Sequence, residues 1–454
     1  MSRVVDATGD LPQPGPDDDP TGRAPIAEPG LWPSPWPAED GGPRRLAAAR
    51  RPTGVGLREG GTLRSHGRLA IASTMVVLRD PGEVYLLCHS AGDDAISWVE
   101  QVHPESLETV RRSPDLPGGP TWPGGIVAHA DGSLYVVFGA HAHRLSPELA
   151  VLASTRLPRW RPYNSFVVLP DGSLATKDFG GRRPGGADDG QPTDGDGLDT
   201  DLVVLAPGSL QIVARVTVPE PSVARLSADG DTVYLVCDRS VRRVRWSSTA
   251  RSLELDPDFA PVYRTLPGQT HGWDAVVADG AAWFLDDGAG SERYAGSFRG
   301  IGTNEAPLHL VRVDLGNGAV SMVEVCGEPN GLIANPPAID PGRRVVIGYD
   351  SSNARITAWR YDAPFTAFRP LWHRRINQAM HPLLFAATGE LLVNDHDGER
   401  GIDQAVVLDV ETGDELGRVD TASPLQSVLF AAPGWSTTDA YVVSFAGITR
   451  IWSE

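Results

Sequence analysis

Apolar and polar positions alternate along most of the chain in short runs, and paired runs are joined by turns of Gly, Pro, Asp or Asn. Residues 327–362 show the unit most completely. A Pro329-Asn330-Gly331 turn leads into the apolar residues 332–334, and a Pro/Asp/Gly turn leads into 344–348 with Val345, Val346 and Ile347. The polar link DSSNA is followed by ITAWRYD, whose period of two suits a strand with one buried face. From about residue 53 the same hairpin recurs eight times at intervals of about fifty residues, the repeat length of four-stranded propeller blades.

After most of these hairpins comes a second pair, such as AHRLSPELAVLASTRL and AVVLDVETGDELGRVD. Each unit is therefore expected to hold inner strands a and b and outer strands c and d. The last unit ends in GITRIW without a fourth strand, so residues 53–72 are expected to supply it and close the ring. The fold expected is all-β, a β-propeller of eight blades over residues 53–454, or seven if the first or last unit is not a blade. HPESLETVRR suits a turn of helix or an exposed outer strand. Residues 1–52, rich in Pro, Gly, Asp and Ala, carry too little apolar surface to offset ordering and are expected to form a disordered tail. Trp32 and Trp36 in that tail are either docking aromatics or loose ones.

The net charge of -18 argues against a nucleic-acid partner, because a phosphate-tracking surface needs clustered cations. Of the 40 basic residues 39 are arginine, and Lys177 is the single lysine. Cys88, Cys237 and Cys326 are far apart and odd in number, which speaks against a disulfide framework or zinc knuckle and for a reducing compartment. The start lacks the apolar core of a signal peptide, and no apolar run approaches membrane-spanning length. These features lead to the expectation of a cytoplasmic protein with no membrane partner. G-x-x-x-x-G-K-[ST], G-x-S-x-G and H-E-x-x-H do not occur.

Antiparallel order puts the approach to strand a and the b-to-c loop on one face of the disc and the tight Asp-Gly turns on the other. The first face would gather Trp122, Asn164, His271, Trp273, Asp274, Asn330, His381 and Gln426, with Lys177, Asp178, Asp238, Asp350 and Asp395 at the exits of strands b. The insertions at 180–201 and 288–307 would overhang that face, the usual mark of the binding side of a repeat array. His271 and His381 are candidate general bases, and Lys177 is a candidate cation or amine nucleophile. Asp at a strand exit also caps its own turn, and histidine or lysine at such places also serves structure. His141 and His143 share a strand face as a metal pair would, and DGDGLDTD (194–201) resembles part of a calcium loop.

Pro329-Asn330-Gly331-Leu332 with GRRVVIGYDSSNARITAWRYD, and Tyr163-Asn164 with VVLPDGSLATKD, resemble blades of the gluconolactonase, regucalcin and strictosidine-synthase-like superfamily. VVLDVETGDELGRVD is similar to the outer hairpin of quinoprotein-type eight-bladed propellers. The first resemblance implies a divalent cation, calcium or similar, held by Asn164 and Asn330 with Asp274 or Asp350. The function expected is an enzyme acting on a small polar or cyclic substrate at the channel mouth, in its concrete form a metal-dependent lactone or ester hydrolase. A metal-free lyase or cyclase is a variant. The alternative is a non-catalytic propeller presenting its insertion face to a protein partner.

Overall fold

The computed structural model describes residues 28–49, 51–70, 72–179, 199–333 and 335–454. Its strands form eight sheets, each built on four antiparallel strands. Strands a and b are Ser73–Leu78 and Val84–His89 in blade 1, Gly125–Ala128 and Leu134–Phe138 in blade 2, and Val167–Val168 and Leu174–Lys177 in blade 3. In blades 4, 5 and 6 they are Ser227–Asp229 and Thr232–Val236, Val276–Ala278 and Ala281–Leu285, and Ala338–Asp340 and Val345–Asp350. Blades 7 and 8 have Leu383–Phe385 with Glu390–Asp397 and Ala431–Pro433 with Ala440–Ser444. Eight blades are therefore present, and the expected hairpins supply their inner strands. Regular helix is confined, among the described residues, to three 3-10 turns, and no helix is long and apolar enough to cross a membrane.

The ring closes as its last unit requires. Leu63–Leu69 is the fourth strand of blade 8 and pairs antiparallel with Gly447–Ser453, in register from Leu63 opposite Ser453 to Leu69 opposite Gly447. This removes the open edges that an unclosed blade would present. The strands b carry near-continuous apolar runs because neighbouring blades cover both faces; Val84, Tyr85, Leu86 and Leu87 are all fully buried. HPESLETVRR gives the exposed outer strand Thr109–Arg112. In blade 6 strand a begins at Ala338 and not within 332–334. Pro336 and Pro337 have no N–H to donate, so pairing starts only after them.

The expected tail boundary at residue 52 is corrected for the described part of that segment. Residues 28–49 run along the inner strands of five blades. Leu78 N–H donates to Trp36 O at 2.8 Å, Ala128 N–H to Pro37 O at 2.7 Å and Ala228 N–H to Pro43 O at 2.8 Å. Val277 N–H donates to Arg44 O and Leu384 N–H to Ala47 O, both at 2.9 Å. Ala48–Ala49 adds a short parallel pairing to strand a of blade 7. Trp36 is buried against the core, and Arg79 stacks over Trp32 at 4.2 Å, so both tryptophans dock. The contacts fall towards the turn end of strands a, so the segment plugs the channel from the turn face. Residues 1–27, the rest of the expected tail, lie outside the described residues.

Candidate functional site

The plug brings its own charges into the channel. Arg45 Nη1 lies 2.7 Å from Glu39 Oε1 and 2.8 Å from Asp40 Oδ2. Arg45 Nε donates to Leu226 O. Asp40 meets His381 Nδ1 at 3.0 Å, and His381 Nε2 lies 4.0 Å from Asp274 Oδ2. Arg225 completes the cluster: its backbone N–H donates to Asp274 Oδ1 at 2.7 Å, its Nη1 lies 3.4 Å from Asp274 Oδ2, and its Nε lies 2.7 Å from Glu39 Oε1. Two guanidiniums thus face three carboxyls and one imidazole in a buried space. Burial pushes the Glu39 carboxyl up, while the His381 and Arg45 charges hold Asp40 below its usual range against the opposing effect of burial.

Above this cluster, on the insertion face, is a cavity of about 190 Å³. Its walls come from residues leading into strands a (Trp122, Trp273, Asn335, Leu429), from Phe445 after strand b of blade 8, and from the 288–307 insertion (Tyr294, Phe298). Arg225 reaches it from the channel, and Ser291 and Glu292 of the insertion also line it. The Trp122 and Trp273 rings are near-parallel, 12° apart at 6.0 Å. Phe179 packs on Trp122 at 4.6 Å. The insertion crosses the mouth from blade 5 to blade 8. Tyr294 Oη donates to Gln426 O at 3.0 Å, Phe298 N–H to Gln426 Oε1 at 2.6 Å, and Gln426 N–H to Gly296 O at 2.7 Å. Gly288 is needed at its base, because a Cβ there would stand 2.2 Å from Trp273 Nε1 and 2.8 Å from His271 Nε2.

Several donors around the cavity have no acceptor among the described residues: Trp122 Nε1, Trp273 Nε1 and Arg225 Nη2. Trp273 is 2% exposed and Arg225 4%. A buried donor left unpaired costs about 1–3 kcal/mol, so these groups call for an acceptor.

The residues expected to hold a cation are not assembled for it. Asn330 is exposed, with φ of 60° in the turn, while Asn164 is fully buried with both side-chain polar atoms unpartnered among the described residues. Asp274 is committed to Arg225. Asp350 caps its own loop, accepting from the Leu332, Ser352 and Asn353 N–H groups and from Asn353 Nδ2. Among the described residues no group of three His, Cys, Asp or Glu side chains is placed to hold a metal ion. The donor set does not fit the divalent cation that the resemblance implies.

The two histidines are likewise in different surroundings. His381 is inside the charge cluster, 1% exposed and 4.0 Å from the Phe430 ring. His271 lies beside Trp273 at the base of the insertion; burial pushes it down to about 4, and the charges it feels are Asp238, Arg264 and Glu292. Lys177 is not a surface lysine. It is 1% exposed, its Nζ donates to Ser222 O at 2.8 Å and Asp178 O at 3.2 Å, and burial pushes it down to about 8. His141 and His143 are spent on structure, His141 Nδ1 meeting Gly118 O at 2.6 Å and His143 meeting Ser154 Oγ and Pro117 O. Of the calcium-like stretch 194–201, residues 194–198 lie outside the described residues; Asp199 pairs with Arg159 and Asp201 with Arg215.

Glu39, Asp40, Arg45 and Arg225 were not among the expected site residues. Arg225 left a trace in the sequence, since SVARLSADG puts a cation where the other hairpins carry apolar residues at the same place. The plug's charges left none, because Pro and Gly around them read as a tail.

No family model matches the chain, and no curated protein matches it. Its likeness is to solved propellers. Quinohemoprotein alcohol dehydrogenase from Comamonas testosteroni aligns at a TM-score of 0.62 with 11% identity, over 92% of this chain and 80% of that one. Sqt1 from Saccharomyces cerevisiae aligns at 0.55 with 9% identity over 86% and 97%, and BamB from Moraxella catarrhalis at 0.50 with 13% identity over 85% and 100%. At these identities the comparisons establish the eight-bladed β-propeller fold.

Proposed function

We propose that the protein is a small-molecule-binding propeller whose site is the cavity between the 288–307 insertion and the plugged channel. The observation that supports this reading is a partly open aromatic cavity with buried, unpartnered N–H donors on its lining residues, the composition of a recognition pocket. Recognition is favoured over catalysis by the lining itself. Its ionisable groups are Arg225, held by Glu39 and Asp274, Glu292 on the exposed insertion, and the Tyr294 phenol, which donates to Gln426 O. Lactone or ester hydrolysis would need a base at the cavity. His271 is the histidine beside Trp273, so cleavage of a p-nitrophenyl ester that is abolished by His271→Ala would move the reading to that enzyme class.

Calorimetric titration with indole tests the site. Saturable binding to the wild type that is lost in Ser291→Trp, where the new ring fills the cavity from the insertion, is expected. Absence of binding by indole and its 3-carboxamide alike, or equal binding to Ser291→Trp, would overturn the reading.

A further inference from the structure

Resting on that reading, we infer that the ligand is a planar aromatic molecule whose polar group is an uncharged acceptor, an amide, lactam or ketone, and that Glu39 of the N-terminal segment is the positioning residue for the cation it meets. The flat shape follows from the walls. Trp122 and Trp273 stack on each other at 6.0 Å, too close for a ring between them, so a flat ligand would lie against this pair and the rings of Tyr294, Phe298 and Phe445 that also line the cavity. The need for an acceptor follows from Trp122 Nε1 and Arg225 Nη2, which lie on lining residues and lack acceptors among the described residues.

The charge decides which acceptor. Arg225 is already flanked by Glu39 at 2.7 Å and Asp274 at 3.4 Å. Asp40 lies further along the same cluster, and Glu292 stands at the rim. Arg225 and Arg45 together face Glu39, Asp40 and Asp274, with Glu292 also on the cavity lining, so carboxyls outnumber guanidiniums and an incoming carboxylate would add a like charge at short range. A carbonyl oxygen accepts from the same N–H groups without that repulsion. Glu39 enters from outside the blades, so the plug fixes where Arg225 Nη2 sits, and the acceptor site exists only with residues 28–49 in the channel.

The test compares three probes on the full chain: indole-3-carboxamide, indole-3-carboxylate and indole. The amide is expected to bind at least about tenfold more tightly than either of the others. Trp122→Phe, which keeps a ring and removes the N–H, should weaken the amide by about tenfold more than it weakens indole. Glu39→Gln should weaken the amide and not indole, whereas a merely structural role would weaken both alike. Carboxylate binding as tight as the amide overturns the inference, as does an amide affinity unmoved by Trp122→Phe. Equal binding of amide and indole, with both lost in Ser291→Trp, would show that water satisfies the donors; it would overturn the ligand class while the cavity reading stands. Failure of all three probes to bind would overturn the cavity reading itself.

Discussion

Asp40 and His381 stand 341 positions apart in the chain, and their side chains meet at 3.0 Å in the centre of the ring. The contact latches the N-terminal segment into the channel, and Arg45 supplies the charge that lets Glu39 and Asp40 be buried together. Arg45→Met should therefore destabilise the fold by about 3–5 kcal/mol, because it leaves buried carboxyls without their partner. Asp40→Asn in the same chain should recover part of the loss, so that the double variant is less destabilised than the sum of the singles. Denaturant unfolding of the four proteins measures this; strict additivity would contradict the latch.

Lys177 gives a pH signature. Burial pushes its ammonium down to about 8 from 10.5. Between those values the unfolded chain still holds the proton that the folded chain has released, so the unfolded state binds more protons and stability rises with pH across that window. Below it both states are protonated and the buried charge is a standing penalty. Relative to Lys177→Met, the wild type should gain about 3 kcal/mol across the window. An unchanging difference would contradict the burial.

Asp287 has the opposite sign. Burial, then the neighbouring Asp286 and Asp350, pushes its carboxyl up to about 8 from 3.8, and its Oδ2 has no partner among the described residues. Between those values the folded state keeps a proton that the unfolded chain has lost, so this group's contribution to stability falls as pH rises. Asp287→Asn should stabilise the protein more at about pH 8 than at about pH 5, read from urea midpoints. A variant that gains nothing on going to the higher pH would contradict this.

Gln426 holds the insertion on the blade 8 side, while Gly300 N–H to Ser352 O at 3.0 Å and Asn304 Nδ2 to Gly331 O at 2.6 Å hold it to blade 6. Gln426 Oε1 accepts from Phe298 N–H and from Ser297 Oγ at 3.0 Å. Gln426→Ala should speed hydrogen exchange at the Phe298 amide by about tenfold, the effect of losing one buried hydrogen bond, with the blade strands unchanged. Unaltered exchange at Phe298 would place the hold elsewhere.

Repetition made the ring legible in the sequence. Alternating hairpins such as Ser73–Leu78 with Val84–His89 repeat eight times, and the missing fourth strand after GITRIW points back to residues 53–72, within which Leu63–Leu69 supplies it. The side of the disc was legible too, since antiparallel order alone puts Trp122, Trp273 and the 288–307 insertion together. The site's own chemistry was not. Asp350 and Asn330 carry residue types that serve turns as readily as cations, and only backbone partners distinguish the two uses. The plug was hidden because its ordering comes from the blades it lies against and not from any period of its own, as the contact between Pro37 and Ala128 shows.

Indole ¹⁵N–¹H resonances of tryptophan-labelled protein, assigned with Trp122→Phe and Trp273→Phe, test the central claim most directly. Titration with indole-3-carboxamide should move the Trp122 N–H signal saturably as it gains an acceptor, while Trp246, whose N–H is already bonded to Asp171 at 3.0 Å, stays in place. A Trp122 signal that stays fixed throughout the titration would contradict the assignment of the cavity as the binding site.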